Sequence, residues 1–481
     1  MDNICDLVGF FPSILVFFCH IFAFISYFRK KMMKQNFVMQ KERIIALALL
    51  LCPCVVALAG HVVVRDTLRG SVYYPGTEHM VEVMVPDEHD GTSPACLYVG
   101  LDGNLCRAME VIDSLIVTGD MPVTIGVMVQ PGVIKDATGR VLRYNRSNEF
   151  DMPDGRFAQF LEAELLPWVE RMSTPDGRRI MLSRRPADRM IAGLSSGGIA
   201  AFVAAWHRPD LFSRVYTGVG TFVAMRGGND LQAIVRKHET QPLRIYLQDG
   251  SQDAWNALFG HWYEGNRMLA TALEFAGYEL SCDWSDGGHN VRRSTVVYPQ
   301  AMKWLWHGWP EAPQRGLTAN NLLQPLLTPD TLWHDATVPG EVGETERALV
   351  YYPDSTLAVA PHCDDNCLWQ YVVGGDGTLL HGQRFYYLHA YDNAMLTIGP
   401  MAFDAAGNLW VVTSAGLQIC DQNGRVRGIV ALPRAVGADD VTAIHIIDGA
   451  VTLDGNHRSW QRSFNVHSPV PGHTPPSQGQ G

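Results

Sequence analysis

Charge is scarce in this sequence: 18% of its 481 residues are Asp, Glu, Lys or Arg, and acids outnumber bases 49 to 38. No basic stripe runs through it, so no nucleic-acid partner is expected. Cysteine is sparse too. Beyond residue 59 the chain carries Cys96, Cys106, Cys282, Cys363, Cys367 and Cys420, and a domain of this size does not depend on disulfides for its core. Cys363 and Cys367 form a loose C-x3-C with no second pair at metal spacing, so no structural zinc is expected. What is plentiful is apolar: 47% hydrophobic and 10% aromatic residues exclude wholesale disorder.

Residues 1–59 stand apart. Val8 to Phe28 form an apolar stretch long enough to span a bilayer, followed by Arg29, Lys30 and Lys31. A second pattern follows: Lys34, Lys41 and Arg43, then an apolar core from Ile44 to Gly60 holding Ala57-Leu58-Ala59, as in a secretory signal. Two export signals in tandem are redundant. The expectation is therefore a signal region over 1–59 with translation starting at Met32, Met33 or Met39, the alternative being a retained membrane anchor. Leu51 before Cys52 argues against lipoprotein processing. The rest is an exported, acidic protein, periplasmic or extracellular, that touches membrane only if the N-terminal segment is kept.

From residue 61 to 310 short β-like runs alternate with helical periods. The pattern predicts strands at 79–85, 95–101, 123–129, 189–193, 244–248 and 279–284, and helices at 105–117, 156–171, 197–207, 265–275 and 298–307. Apolar strands alternating with amphipathic helices predict an α/β domain whose mostly parallel sheet is covered on both faces. Ligands in such folds gather at the carboxyl ends of the strands.

The run Gly193-Leu194-Ser195-Ser196-Gly197 sits where a predicted strand meets a predicted helix. Only this register gives G-x-S-x-G; for Ser196 to be central, position 194 would have to be glycine. A sharp strand-to-helix turn crowds the backbone on both sides of the serine, so a Cβ there would clash. The same turn aims the helix N-terminus, through the N–H of Ser196, at a developing oxyanion. A serine needs a base, and the base an orienting carboxylate. Downstream come Asp249 and Asp253 in RIYLQDGSQD, both candidate acids, and then His289 in a Gly-Gly-His loop. His207 and His261 lie in or beside predicted helices and read as packing or surface residues.

Several strings in order now carry a resemblance: LYVGLDG (97–103), RYNRSNEFD (143–151), FLEAELLPWVE (160–170), GLSSGG (193–198), LRIYLQDGSQDAWN (243–256) and DGGHN (286–290). Together they resemble the putative-esterase family of α/β-hydrolases, which includes enterochelin, feruloyl and D-type esterases. The resemblance implies an esterase domain over 61–310 with Ser195 as nucleophile, His289 as base and Asp253, rather than Asp249, as acid. It places the oxyanion on the backbone N–H groups of Ser196 and of Gly103 or Asn104, and it requires no cofactor and no metal. Arg146, Glu149 and Asp151 are expected to brace loops or to form a buried ion network. The implied reaction is hydrolysis of carbohydrate-linked acyl esters, feruloyl or acetyl, on small-molecule or polysaccharide substrates; a siderophore or lactone ester is the alternative. Trp255 and Trp262 follow the acid, and either stack on substrate or pack in the core.

Residues 311–330 read as a proline-bearing linker. Beyond them the segment 331–465 turns to β-hairpin grammar, as in GGDGTLLHGQRFYYL (374–388) and FDAAGNLWVVTSAGLQICDQNGRVRGIVALP (403–433). These strings resemble blades of a gluconolactonase-type β-propeller, in a length that holds only part of a closed ring. Where that family would carry a metal-binding Asp-Gly-Met, this chain has Ile398-Gly399-Pro400-Met401, so metal-dependent lactonase activity is a minor alternative. The tail, 466–481, is expected to be disordered.

Overall fold

The computed structural model describes residues 60–329, 331–336, 349–362, 365–391 and 394–476; the expected signal region, 1–59, lies outside the described residues, as do Cys363 and the last five positions. Strands β1 (His61–Arg69), β2 (Glu78–Pro86), β3 (Cys96–Leu101), β4 (Thr124–Val129), β5 (Val133–Lys135), β6 (Val141–Tyr144), β7 (Arg189–Leu194), β8 (Arg214–Gly218) and β9 (Arg244–Gln252) join a last strand, Glu279–Gly288, in one ten-stranded sheet. Its order is last strand, β9, β8, β7, β3, β4, β2, β5, β6, with β1 paired to β2. From β4 to the last strand all pairs are parallel, while β1, β2, β5 and β6 pair antiparallel. This is the α/β-hydrolase fold.

Parallel strands buried on both faces read as continuous apolar runs, and β3, β4 and β7 are buried at every position. Helices Ser196–His207 and Trp262–Ala276 contribute Ile199, Phe202, Leu269 and Leu273 to the core on one face. Helices Ala108–Val117 and Val291–Trp306 contribute Ile112, Met302 and Leu305 to the core on the other. The predicted strands and helices all have counterparts, though β1, β5, β6 and β8 had no prediction, and the last helix starts seven residues before the expected 298.

β3 lies between β4 and β7, so successive strands leave it in opposite directions. The loops after β3 and β7 therefore part at this switch point and open a crevice at the strand ends.

Two expectations need correction. The expected linker, described over 311–329, is packed against both parts of the chain: Asn320 Nδ2 donates to the carbonyls of Arg236 (3.1 Å) and Arg427 (2.8 Å), and Leu323 and Leu326 are buried in the C-terminal core. Its apolar leucines, hidden among prolines, find a core that a linker reading overlooks. The described part of the tail is packed on the C-terminal sheets, with Val466 buried and Gln422 Nε2 donating to the Pro476 carbonyl at 2.8 Å.

Among the described residues the C-terminal part forms three four-stranded antiparallel sheets. Two are built from consecutive strands, and the third pairs His334–Ala336 with Ser459–Ser463, so the first strand of the region closes onto the last. The region is tied to the α/β part through residues 237–239. Ile429 donates to the Lys237 carbonyl (2.7 Å) and accepts from the Glu239 N–H (3.0 Å), while the Glu239 carboxylate takes a buried bidentate pair from Arg462. Among the described residues no helix is long and apolar enough to cross a membrane.

Candidate active site

Ser195 sits between β7 and its helix with φ 57° and ψ −122°, in backbone space that an L-residue tolerates only when its surroundings enforce it. The neighbouring glycines show what enforces it. A Cβ on Gly193 would stand 2.2 Å from the Gly197 carbonyl, and one on Gly198 would stand 2.5 Å from Thr217 Oγ1. The Ser195 N–H donates to the Gly218 carbonyl on β8 (2.9 Å), and its carbonyl accepts from the N–H of Gly198 (2.9 Å) and of Thr221 (3.1 Å). The hydroxyl is left free of the backbone and points at the strand ends.

There the structure brings together residues far apart in sequence. His289 Nε2 lies 2.9 Å from Ser195 Oγ, and its Nδ1 lies 2.6 Å from Asp253 Oδ1. The imidazole is one-third exposed and the Asp253 side chain fully buried. Gly250 makes this possible, because a Cβ there would meet the Gly287 carbonyl at 2.2 Å where β9 and the last strand run side by side. Burial works against ionisation of Asp253, yet the hydrogen bond from His289, with Asp249 close by, holds its carboxyl below the usual range. Asp249 Oδ1 accepts the Gly250 N–H at 2.6 Å instead of bonding the imidazole, and burial together with the neighbouring Asp253 pushes its carboxyl up to about 9.

Beside the serine, the loop after β3 carries Asp102 at φ 63° and Gly103 at φ 87°. A side chain on Gly103 would run into Gln130 Nε2. Asn104 is occupied otherwise: its Oδ1 accepts from the Met109 N–H (2.9 Å) and fixes the start of helix Ala108–Val117. Arg146 spans both sides of the crevice. Its Nε and Nη2 grip the Asp102 carboxylate at 2.7 Å each, and its Nη1 donates to Ser196 Oγ at 2.9 Å. The Ser196 hydroxyl thus has a partner, where the sequence offered none.

The other bracing candidates divide. Glu149 is a buried hub that binds His79 Nε2 (3.1 Å), the Gly132 N–H (3.0 Å) and Asn145 Nδ2 (2.6 Å). Asp151 is buried, and among the described residues neither of its carboxyl oxygens has a hydrogen-bond partner. Trp262 is buried, its ring set edge-on to the His289 imidazole at 5.9 Å and its Nε1 donating to Thr221 Oγ1. Trp255 is exposed. His207 bonds the Pro153 carbonyl and is turned away from the serine.

Sequence reasoning missed Thr221, whose hydroxyl lies 3.4 Å from Ser195 Oγ, and Asp102, whose string LYVGLDG gave the signal without the role. A cavity of about 490 Å³ between helix Leu231–Val235 and residues 365–390 shares no residue with this cluster. Among the described residues no group of three His, Cys, Asp or Glu side chains is placed to hold a metal ion.

Comparison with known proteins bears on the α/β part. Residues 73–309 match the family model described as Putative esterase. Among solved structures, the chain is similar to a ferulic acid esterase at 20% identity, covering 51% of this chain and 98% of that one, with a TM-score of 0.38. It is similar to enterochelin esterase from Shigella flexneri at 21% identity, covering 51% of this chain and 58% of that one, with a TM-score of 0.39. The feruloyl esterase module from Clostridium thermocellum complexed with sinapinate gives 13% identity, 53% and 91% coverage and a TM-score of 0.37. No curated protein matches the chain. The family match ends at residue 309, ahead of the three C-terminal sheets.

Proposed function

Since residues 73–309 belong to the putative esterase family and the chain is a carboxylic ester hydrolase, we propose that it works through a Ser195–His289–Asp253 triad and an acyl-enzyme. The observation that carries this is the continuous relay from Asp253 Oδ1 to His289 Nδ1 (2.6 Å) and from His289 Nε2 to Ser195 Oγ (2.9 Å). Ser195 attacks the ester carbonyl while His289 Nε2 takes its proton. Asp253 holds the tautomer with the proton on Nδ1 and stabilises the imidazolium. The oxyanion rests on the N–H of Ser196, at a helix N-terminus, and on the loop at Gly103 and Asn104. His289 then protonates the departing alcohol, and water, activated by the same imidazole, frees the acid.

For substrate we propose an acyl ester on a carbohydrate, feruloyl or acetyl. Two features support it: the acidic balance of the chain, −11 overall, favours neutral over anionic esters, and exposed Trp255 and Leu258 stand on the hairpin that follows Asp253, where an aromatic or sugar ring can stack. We also propose export through residues 1–59, which cell fractionation tests. A fluorophosphonate probe should label the wild type and not Ser195→Ala. Ester turnover retained by Ser195→Ala sinks the triad. A panel of nitrophenyl, feruloyl, acetyl-sugar and siderophore esters, run with and without chelator, settles the acyl class and tests the lactonase alternative.

A further inference from the structure

Asp249, near the end of β9, is wholly buried. Its Oδ1 accepts the Gly250 N–H at 2.6 Å, but among the described residues its Oδ2 meets no donor. The same holds for Asp253 Oδ2 and for Asn266 Oδ1, whose amide nitrogen is committed to the carbonyls of Gly220 (2.8 Å) and Trp262 (3.0 Å). The turn that carries Asp253 folds back on Asp249, the Asp253 N–H donating to the Gly250 carbonyl at 2.9 Å, and each carboxyl shifts the titration of the other. Buried acceptors without donors are costly, and adjacent carboxyls sharing one buried site do not both ionise. One proton resolves the conflict. Asp253 Oδ1 already takes N–H groups from His289 and Ala254, whereas Asp249 has a single backbone donor. The anion therefore belongs on Asp253 and the proton on Asp249.

We propose that Asp249 is a neutral carboxylic acid that donates to Asp253 Oδ2 and acts as a positioning residue for the relay. The proposal rests on the triad reading above. With Oδ2 held, the Asp253 carboxylate cannot rotate away from the His289 Nδ1–H, and no second charge builds up beside the imidazole. The groups facing Asp249 fit this role. Asp253 faces it from the turn after β9, with His289 behind; helix Trp262–Ala276 presents the neutral Asn266; and Ser285 of the last strand reaches the Asp249 main-chain carbonyl. Burial, reinforced by Asp253, raises the Asp249 carboxyl to about 9.

The test is the pH profile of kcat for wild type, Asp249→Asn and Asp249→Ala. An asparagine keeps one acceptor for Gly250 and one donor for Asp253, and it cannot ionise. Asp249→Asn should keep the wild-type kcat, and Asp249→Ala should lose about 10²-fold in kcat with KM unchanged, the scale of a misplaced catalytic group. Wild-type kcat should fall as pH rises past about 9, and Asp249→Asn should stay level there. An Asp249→Asn enzyme as impaired as Asp249→Ala, or alkaline limbs that superimpose, overturns the proposal. Should Asp249→Ala fail to fold, the infrared difference between wild type and Asp249→Asn at neutral pH decides: it must contain the C=O band of a protonated carboxyl, and its absence also overturns the proposal. Ser195→Ala separates the two readings. Its turnover reports on the triad, while the infrared band reports the Asp249 proton whether or not the serine is the nucleophile.

Discussion

In the C-terminal sheets, Asp404 and Asp421 bind within their own hairpins. Asp404 accepts from the Asn408 N–H, Asn408 Nδ2 and Trp410 Nε1, none more than six residues away; Asp421 accepts from the N–H groups of Asn423 and Arg425 and from Arg425 Nε. At the strand ends of the α/β sheet, Asp102 and Asp253 reach partners 44 and 36 positions away. The first kind of carboxylate fixes a turn. The second kind fixes one chain segment against another at the proposed active site. Loss of the first should appear in stability alone, and loss of the second in rate.

That contrast can be broken at three places. Asp253→Asn should cost about 10³–10⁴ in kcat with little change in melting temperature, because the imidazole then loses its tautomer control. Arg146→Met should release Asp102 and the Ser196 hydroxyl together. A kcat lower by about 10²-fold with near-constant KM is expected, the scale of one impaired oxyanion donor, and wild-type rates in this variant would show that the loop holds itself. Asp404→Ala should leave kcat untouched and lower unfolding stability by about 1–3 kcal/mol, since Asn408 and Trp410 lose a buried acceptor. A fall in kcat there, read beside the denaturant midpoint, would mean that the sheets act on the site and the contrast is false.

The chemistry was legible where the backbone imposes a residue type. Gly193, Gly197 and the two candidate partners at later strand ends could be read from spacing, because a sharp turn and a parallel sheet tolerate little else. The choice of Asp253 over Asp249 came from the family resemblance; in the structure Asp253 Oδ1 lies 2.6 Å from His289 Nδ1. β8 was missed because it is five residues long and opens on Arg214. That arginine is buried, its guanidinium satisfied by main-chain carbonyls such as that of Leu305 and stacked on Trp306. The start of helix Val291–Trp306 was missed because VRRSTVV mixes β-branched and polar residues and Pro299 follows inside the helix. Asn290 accepting the Arg292 N–H supplies the start signal. Arg146 was expected to brace loops, but its partners Asp102 and Ser196 were invisible for another reason: the clamp joins three strings whose adjacency exists only once β3 and β7 pair.

The buried Glu239–Arg462 pair has a thermal consequence. If the C-terminal sheets came away first, the buried bidentate Glu239–Arg462 pair would be broken and the seam around it opened to water. Ile429 would also surrender both of its main-chain partners at Lys237 and Glu239. Residues 60–476 should therefore melt as one cooperative unit, with a single heat-absorption peak and a calorimetric enthalpy that matches the van't Hoff value.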